Sequence, residues 1–107
     1  MKKILLGLGL AVSLFANNTF VQTSEEWEKS QNNQKYSSFQ VGLYGGYVLG
    51  VTDTLNHIVI CLDNDTNSKQ ILSIVRKYIK EHPEKWNGNN LSLIIPPLKE
   101  AFPCKKK

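Results

Sequence analysis

The sequence predicts a small all-α chain with about four helical segments. Its length of 107 residues is enough for a single small core. Apolar residues recur at helical spacing in three stretches, 39–56, 67–82 and 91–102, and only the short apolar run 58–62 is compatible with a strand. Two cysteines, Cys61 and Cys104, are widely separated and can link parts of this core. These observations together favour a helical domain held by one disulfide.

Residues 1–16 have the order of a secretory signal peptide. Lys2 and Lys3 precede the apolar run 4–15, and the small Ala16 stands before a polar turn. This run is too short to cross a hydrocarbon core, which requires about 20 residues. We therefore expect export, cleavage after Ala16 and no stable membrane association of the mature chain. An uncleaved N-terminal anchor is the alternative.

The formal net charge of +4 does not indicate a nucleic-acid partner. Two of the basic residues, Lys2 and Lys3, belong to the signal segment, so the mature charge is +2. Three further lysines form the basic tail 105–107. The remaining body is nearly neutral and has no basic stripe with interleaved aromatic residues, which excludes nucleic-acid binding as the function.

Residues 17–38 are interpreted as a short N-terminal helix followed by a polar loop. Thr23 and Glu26 have the spacing of a capping box, which predicts a helix from about residue 23 to residue 31 that carries Trp27. The polar segment 30–38 then forms the loop.

The segment 39–56 is rich in glycine, yet its spacing indicates a helix. Gly42, Gly46 and Gly50 recur every four residues and would form a bare stripe along one face. A second set of residues recurs at intervals of three or four positions, namely Val41, Tyr44, Val48, Val51 and Leu55. We expect a second helix or a ring to pack closely on this stripe, with Tyr47 as a further packing residue. No phosphate-loop or dinucleotide fingerprint is present.

Residues 67–82 form the most strongly predicted helix. Asn67 can cap its N-terminus and Pro83 stops it. The apolar face consists of Ile71, Leu72, Ile74, Val75, Tyr78 and Ile79. Arg76, Lys77 and Lys80 are expected to belong to the solvated face.

The last segment, 91–102, has a helical apolar pattern that two prolines oppose. Pro96 and Pro97 lack an amide hydrogen, and Pro96 disfavours the helical conformation of Ile95. Either the helix kinks at the prolines or a short helix begins there. Pro103 then ends it before Cys104.

The residues that carry chemistry argue against an enzyme and favour a structural disulfide. In an exported domain, Cys61 and Cys104 are expected to form a disulfide, since a redox pair or a metal site would need a different spacing or more ligands. Asp63, Asn64 and Asp65 resemble the start of a calcium loop but lack its glycine and closing glutamate. No nucleophile motif or histidine cluster is present, so we expect no catalysis, no metal and no cofactor.

The sequence from 39 to 104 resembles the Rap/Tai immunity family. Four stretches carry the likeness: G-Y-V-L-G-V-T-D at 46–53, Cys61 with the later Gln70, K-Y-I-K-E-H-P-E at 77–84, and A-F-P-C at 101–104. The residues that match the family motifs, besides the cysteines, are Asp53, Gln70, Tyr78, His82, Pro83, Phe102 and Pro103.

This resemblance implies a small helical bundle similar to the acid-stress chaperone HdeA. Members of the family are periplasmic proteins that neutralise peptidoglycan amidases delivered by type VI secretion, and their dimers obstruct the active-site cleft. The resemblance therefore implies a periplasmic, homodimeric binding protein, in which Cys61 and Cys104 form the shared disulfide. A periplasmic chaperone or envelope stress protein of the same fold is the alternative.

The sequence departs from the family at two places. Many relatives have a second cysteine pair where this chain has Tyr44 and the region 27–29, so the first helix is expected to be less firmly held. The prolines at 96 and 97 stand where relatives continue the last helix. The loops containing Asp63, Asn64 and Asp65, and Trp86 and Asn87, are the candidate partner-binding loops because they are predicted exposed turns.

Overall fold

The computed structural model describes residues 19–105, and within them the chain forms four α-helices. These are α1 (Thr19–Gln31), α2 (Ser38–Leu55), α3 (Ser68–Glu81) and α4 (Leu91–Ala101), with a 3-10 turn at Pro83–Lys85. The described part contains no β-strand, only an isolated bridge between Asn56 and Ile60. The all-α prediction is confirmed, and the run 58–62 is a connector. The signal segment 1–16 and the last two lysines of the tail lie outside the described residues.

Helix α1 is longer than the capping pattern predicts. It is already helical at Thr19, and Thr23 is a buried residue inside it. The hydroxyl of Thr23 donates to the carbonyl of Phe20 at 2.6 Å, so it does not act as an N-cap. Phe20, Ser24 and Trp27 are buried at i, i+4 and i+7. The prediction was wrong because this apolar face continues through residues that precede the capping motif.

Helix α2 forms despite its four glycines because its buried face is regular. Tyr44, Val48 and Thr52 follow one another at intervals of four and are buried. The Ser37 side chain caps the helix by accepting a hydrogen bond from the Gln40 amide. Burial of this face therefore outweighs the cost of about 1 kcal/mol that each interior glycine carries relative to alanine.

Helix α3 has its predicted bounds to within one residue, and its predicted faces are correct except at Arg76. Asn67 Oδ1 accepts a hydrogen bond from the Gln70 amide at 2.8 Å, and Ile71, Leu72, Val75 and Ile79 are buried. Arg76, expected on the solvated face, is instead buried. Its position four residues after Leu72 places it at the edge of the buried face, where α1 supplies its partners.

Helix α4 runs through both prolines without interruption. A helix beginning at the prolines is therefore excluded, since regular structure starts at Leu91. Because proline has no amide hydrogen, the carbonyls of Ser92 and Leu93 receive no hydrogen bond from residues 96 and 97. Leu93, Ile94 and Leu98 are fully buried or nearly so. This burial offsets the missing backbone hydrogen bonds.

An aromatic cluster joins α1 to α2. The Tyr44 ring lies 5.7 Å from the Phe20 ring and 5.6 Å from the Trp27 ring, measured between centroids. The Tyr44 hydroxyl donates to the carbonyl of Leu72 in α3 at 2.6 Å. Burial raises the pKa of this hydroxyl, which therefore stays protonated and keeps its donor role. Tyr44 of α2 thus contacts both α1 and α3.

The predicted disulfide between Cys61 and Cys104 is confirmed. It joins the connector after α2 to the segment after α4, and the two cysteines are 43 positions apart in the sequence. The Cys61 amide also donates to the carbonyl of Phe102 at 2.9 Å. Because Phe102 and the neighbouring Ile60 are buried, both ends of the disulfide are attached to the core.

A partly buried ion network connects α1 to α3. Arg76 donates to Glu28 Oε1 through Nε at 3.0 Å and to the Ser24 hydroxyl through a terminal nitrogen at 3.0 Å. Lys80 donates to the other Glu28 oxygen at 2.7 Å. Together with the aromatic cluster, these contacts attach α1 to both α2 and α3.

This network should make stability depend on pH. The hydrogen bonds from Lys80 and then Arg76 hold the pKa of Glu28 below its usual 4.5. Its contribution is therefore complete above about pH 4.5 and is lost as the pH falls through the lowered value in the folded state. We expect Glu28→Gln to cost about 1 kcal/mol at pH 7, a modest value because the carboxylate is partly exposed, and less at pH 3. Urea denaturation at both pH values checks this. The exposed Glu84→Gln is the control, and an equal cost for Glu28→Gln at both pH values would contradict the assignment.

Candidate protein-binding surface

The described residues contain no constellation that indicates catalysis or metal binding. Among residues 19–105, no group of three His, Cys, Asp or Glu side chains could hold a metal ion. The His82 ring stacks on Tyr78 with centroids 3.8 Å apart, and its Nδ1 lies 2.9 Å from the Tyr78 carbonyl. His82 is therefore part of a helix end. None of the helices in the described region is long and apolar enough to cross a bilayer.

The motif residues at the end of α3 build a helix stop. The Lys85 ammonium donates to the Tyr78 hydroxyl at 2.6 Å, and Pro83 begins the 3-10 turn. The Trp86 indole donates to the Ile79 carbonyl at 2.7 Å. Trp86, a candidate binding residue, is half-buried, and this hydrogen bond fixes its indole ring at the end of α3.

The other predicted site residues are spread over the surface and the core. Phe102 is buried, whereas Pro103 is exposed. Asp53 and Gln70 are exposed on α2 and α3. The four remaining residues of the candidate loops are also exposed, and they divide between two connections: Asp63, Asn64 and Asp65 in the α2–α3 connection, and Asn87 in the α3–α4 connection.

The glycine stripe of α2 is exposed, and no second helix of the described chain packs on it. A Cβ atom placed at Gly42, Gly46 or Gly50 would meet no atom within 4 Å. The expectation of a close contact within the chain was therefore wrong. Gly45, outside the stripe, is the glycine that faces α3, where a Cβ would lie 3.9 Å from Leu72 Cδ1.

An open apolar groove of about 500 Å³ follows the stripe between α2 and α4. Its lining residues are Gly46, Tyr47, Gly50, Val51, Thr54 and Leu55 from α2, and Leu91 and Ile95 from α4. Tyr47 forms one wall, and its ring packs edge-on against Phe20. The glycines thus make the groove accessible to an occupant from outside the chain.

Two large apolar side chains project into solvent near the two ends of α2. Phe39 is 72% exposed at its first turn, and Ile58 is 73% exposed in the connection after it. Sequence reasoning missed both as surface features. Phe39 shares the outward face of α2 with the glycines, which the helical period could have shown. Ile58 follows an irregular turn that no periodicity describes.

Comparison with known proteins identifies the family. The model of the Rap1a immunity proteins matches residues 17–104, which covers most of the chain. Neither a curated protein nor a solved structure matches it. The family match spans all four helices and both disulfide cysteines. The chain therefore belongs to the Rap1a immunity protein family.

Proposed function

We propose that this chain is a periplasmic immunity protein that binds a peptidoglycan amidase delivered by type VI secretion and closes its active-site cleft. The observation that carries this proposal is the family match over residues 17–104. Membership in an immunity family implies binding of a partner effector protein. The four motif stretches in the sequence resemble those of the members that neutralise amidases.

The surface supports binding as the mode of action. Among the large apolar side chains of the described residues, Phe39 and Ile58 are the most exposed, and the groove along α2 is apolar. Exposed aromatic and aliphatic side chains with an adjacent groove are typical of protein-binding surfaces. Immunity proteins in general act by binding and not by catalysis.

The signal-like segment and the disulfide support a periplasmic site of action. The segment 1–16 has the features of a signal peptide, and the disulfide between Cys61 and Cys104 is stable in an oxidising compartment. A peptidoglycan amidase acts in this compartment, so an exported protein would meet its target there.

The amidase is expected to co-purify with this chain from the periplasm. We expect an amidase gene beside the gene for this chain, and the probe is the product of that gene, expressed together with the full precursor. Recovery of a complex, with the chain shortened by residues 1–16, is the predicted result. Absence of a complex, together with protection of unrelated proteins from aggregation in acid, would favour the chaperone alternative.

A homodimer through the outward face of α2 is part of the proposal. The glycine stripe is centred on Gly46, so two antiparallel α2 helices that cross there place Gly42 of one copy against Gly50 of the other. The same symmetry sets Phe39 of each copy beside residues 53–54 of its partner, next to the apolar groove. Exposed glycines allow such helices to approach closely, and in an isologous contact the same face of both copies is buried.

We expect Gly46→Leu to weaken this dimer at least tenfold without unfolding the chain. Leucine has a higher helix propensity than glycine by nearly 1 kcal/mol, and a Cβ at this position meets no atom of the chain. The variant should therefore be a monomer of equal or greater thermal stability. Analytical ultracentrifugation measures the dissociation constant. Ser73→Leu adds the same side chain to an exposed position of α3 and serves as the control, and an unchanged dimer of Gly46→Leu would exclude this face.

A further inference from the structure

The connection after α2 presents one isoleucine to solvent and buries another. Ile58 is 73% exposed, whereas Ile60, two residues later, is fully buried. The buried side chain fixes the loop to the core, and the exposed one projects from it. Ile58 is therefore exposed on a loop that the core holds in place.

Hydrogen bonds make this loop tight. The amides of Ile58, Val59 and Ile60 all donate to the carbonyl of Leu55, at 3.0, 3.0 and 3.3 Å. The His57 amide donates in turn to the Ile60 carbonyl at 2.7 Å. The next residue, Cys61, carries the disulfide to Cys104. The loop is thus closed on itself and attached at its end.

His57 adopts a left-handed conformation to make this turn. Its φ of 72° is uncommon for a residue other than glycine and costs free energy. Exposure of an isoleucine also brings no benefit to folding. Strained residues persist where the surrounding structure determines them, and they concentrate at functional sites.

We propose that Ile58 is the anchor residue that enters an apolar pocket of the amidase cleft. This inference rests on the proposed function, because it names the part of the chain that contacts the amidase. The loop is already ordered, so binding would cost little conformational entropy, which is the condition under which one side chain contributes strongly to affinity.

The position of the loop separates it from the proposed dimer face. Ile58 follows the end of α2, whereas the stripe that would cross in the dimer is centred on Gly46. The exposed carboxylate of Asp63 follows the loop in sequence and can supply part of the polar rim that surrounds an apolar anchor. One copy of the chain can therefore contact a second copy and the amidase with different residues.

The test measures amidase binding by Ile58→Ala with isothermal titration calorimetry. The probe is the purified product of the amidase gene beside the gene for this chain. We expect about thirtyfold weaker binding, the effect of losing a central anchor residue. Thermal stability should not change because Ile58 is exposed. Tyr36→Ala removes another exposed large apolar side chain, in the α1–α2 loop, and should bind as the unaltered chain does.

The possible outcomes separate the anchor from the function. If the unaltered chain and Ile58→Ala bind the amidase equally well, the anchor assignment is overturned and the immunity function stands. If the unaltered chain does not bind, the proposed function fails and the anchor fails with it. Loss of affinity in Ile58→Ala and Tyr36→Ala alike would show a general effect of surface apolarity and would also overturn the assignment.

Discussion

Replacement of Cys61 and Cys104 by alanine together should lower the free energy of unfolding by about 4 kcal/mol. The disulfide closes a loop of 43 residues, and the chain-entropy model gives this value for a loop of that length. For a domain of this size, the change corresponds to a decrease in Tm of roughly 15–30 °C. Urea denaturation of the oxidised protein and the double variant measures the difference.

The structure predicts which segments separate first when the disulfide is absent. The buried Ile60 and Phe102 flank the two cysteines, so the connector after α2 and the end of α4 would separate together. Reduction of the unaltered protein should reproduce the effect of the double variant. A difference below 1 kcal/mol between the oxidised and the substituted protein would mean that the noncovalent core holds these segments unaided.

Tyr44→Ala should destabilise the domain by about 4 kcal/mol, because it empties the centre of the aromatic cluster. The side chain is fully buried, with the Phe20 and Trp27 rings within 6 Å. Loss of a large buried aromatic side chain creates a cavity that the surrounding residues fill only in part. Chemical denaturation monitored by tryptophan fluorescence measures the loss, since Trp27 reports directly on this cluster.

Tyr44→Phe separates the ring from the hydroxyl. It keeps the ring and removes only the hydrogen bond to the Leu72 carbonyl, so we expect a cost of about 1 kcal/mol. The two variants should therefore differ by about 3 kcal/mol. Equal costs would show that the hydrogen bond to α3, and not the packing of α1 on α2, makes Tyr44 important.

The aromatic cluster connects the first two helices of this chain without a second disulfide. The family resemblance places a cysteine pair between the first helix and the position of Tyr44 in many relatives. Here the Trp27 and Tyr44 rings are in contact at 5.6 Å, and Glu28 binds Arg76 one residue further along α1. The Trp27–Tyr44 contact thus connects the same two helices, and the Glu28–Arg76 pair adds a contact from α1 to α3. Loss of the aromatic contact is the reason for the large effect predicted above for Tyr44→Ala.

The helices that could be predicted are those whose own residues define a face. Helix α3 has a cap at Asn67 and a regular apolar stripe, so its bounds were confirmed to within a residue. The start of α1 was missed because a local capping pattern at Thr23 competes with the longer apolar face that begins at Phe20. The path of α4 through Pro96 and Pro97 depends on packing against other helices, which the local sequence does not contain.

Parts of the candidate surface depend on long-range packing and were beyond sequence reasoning. The period of the glycines predicted a helix with a bare stripe, but not that the stripe would lie in solvent. The burial of Arg76 depends on Glu28, 48 residues earlier. Ile58 projects because His57 takes a left-handed conformation and Ile60 is drawn into the core, and neither is visible in the sequence alone.

Inhibition of the amidase is the most direct test of the proposed immunity function. Under this proposal an amidase gene is expected beside the gene for this chain, and the purified product of that gene is titrated with the mature chain while release of peptidoglycan fragments is followed. We predict complete inhibition near one chain per amidase, relieved by Ile58→Ala at the same concentrations. Undiminished hydrolysis in the presence of excess chain would contradict the proposal that this protein closes the active-site cleft of a secreted amidase.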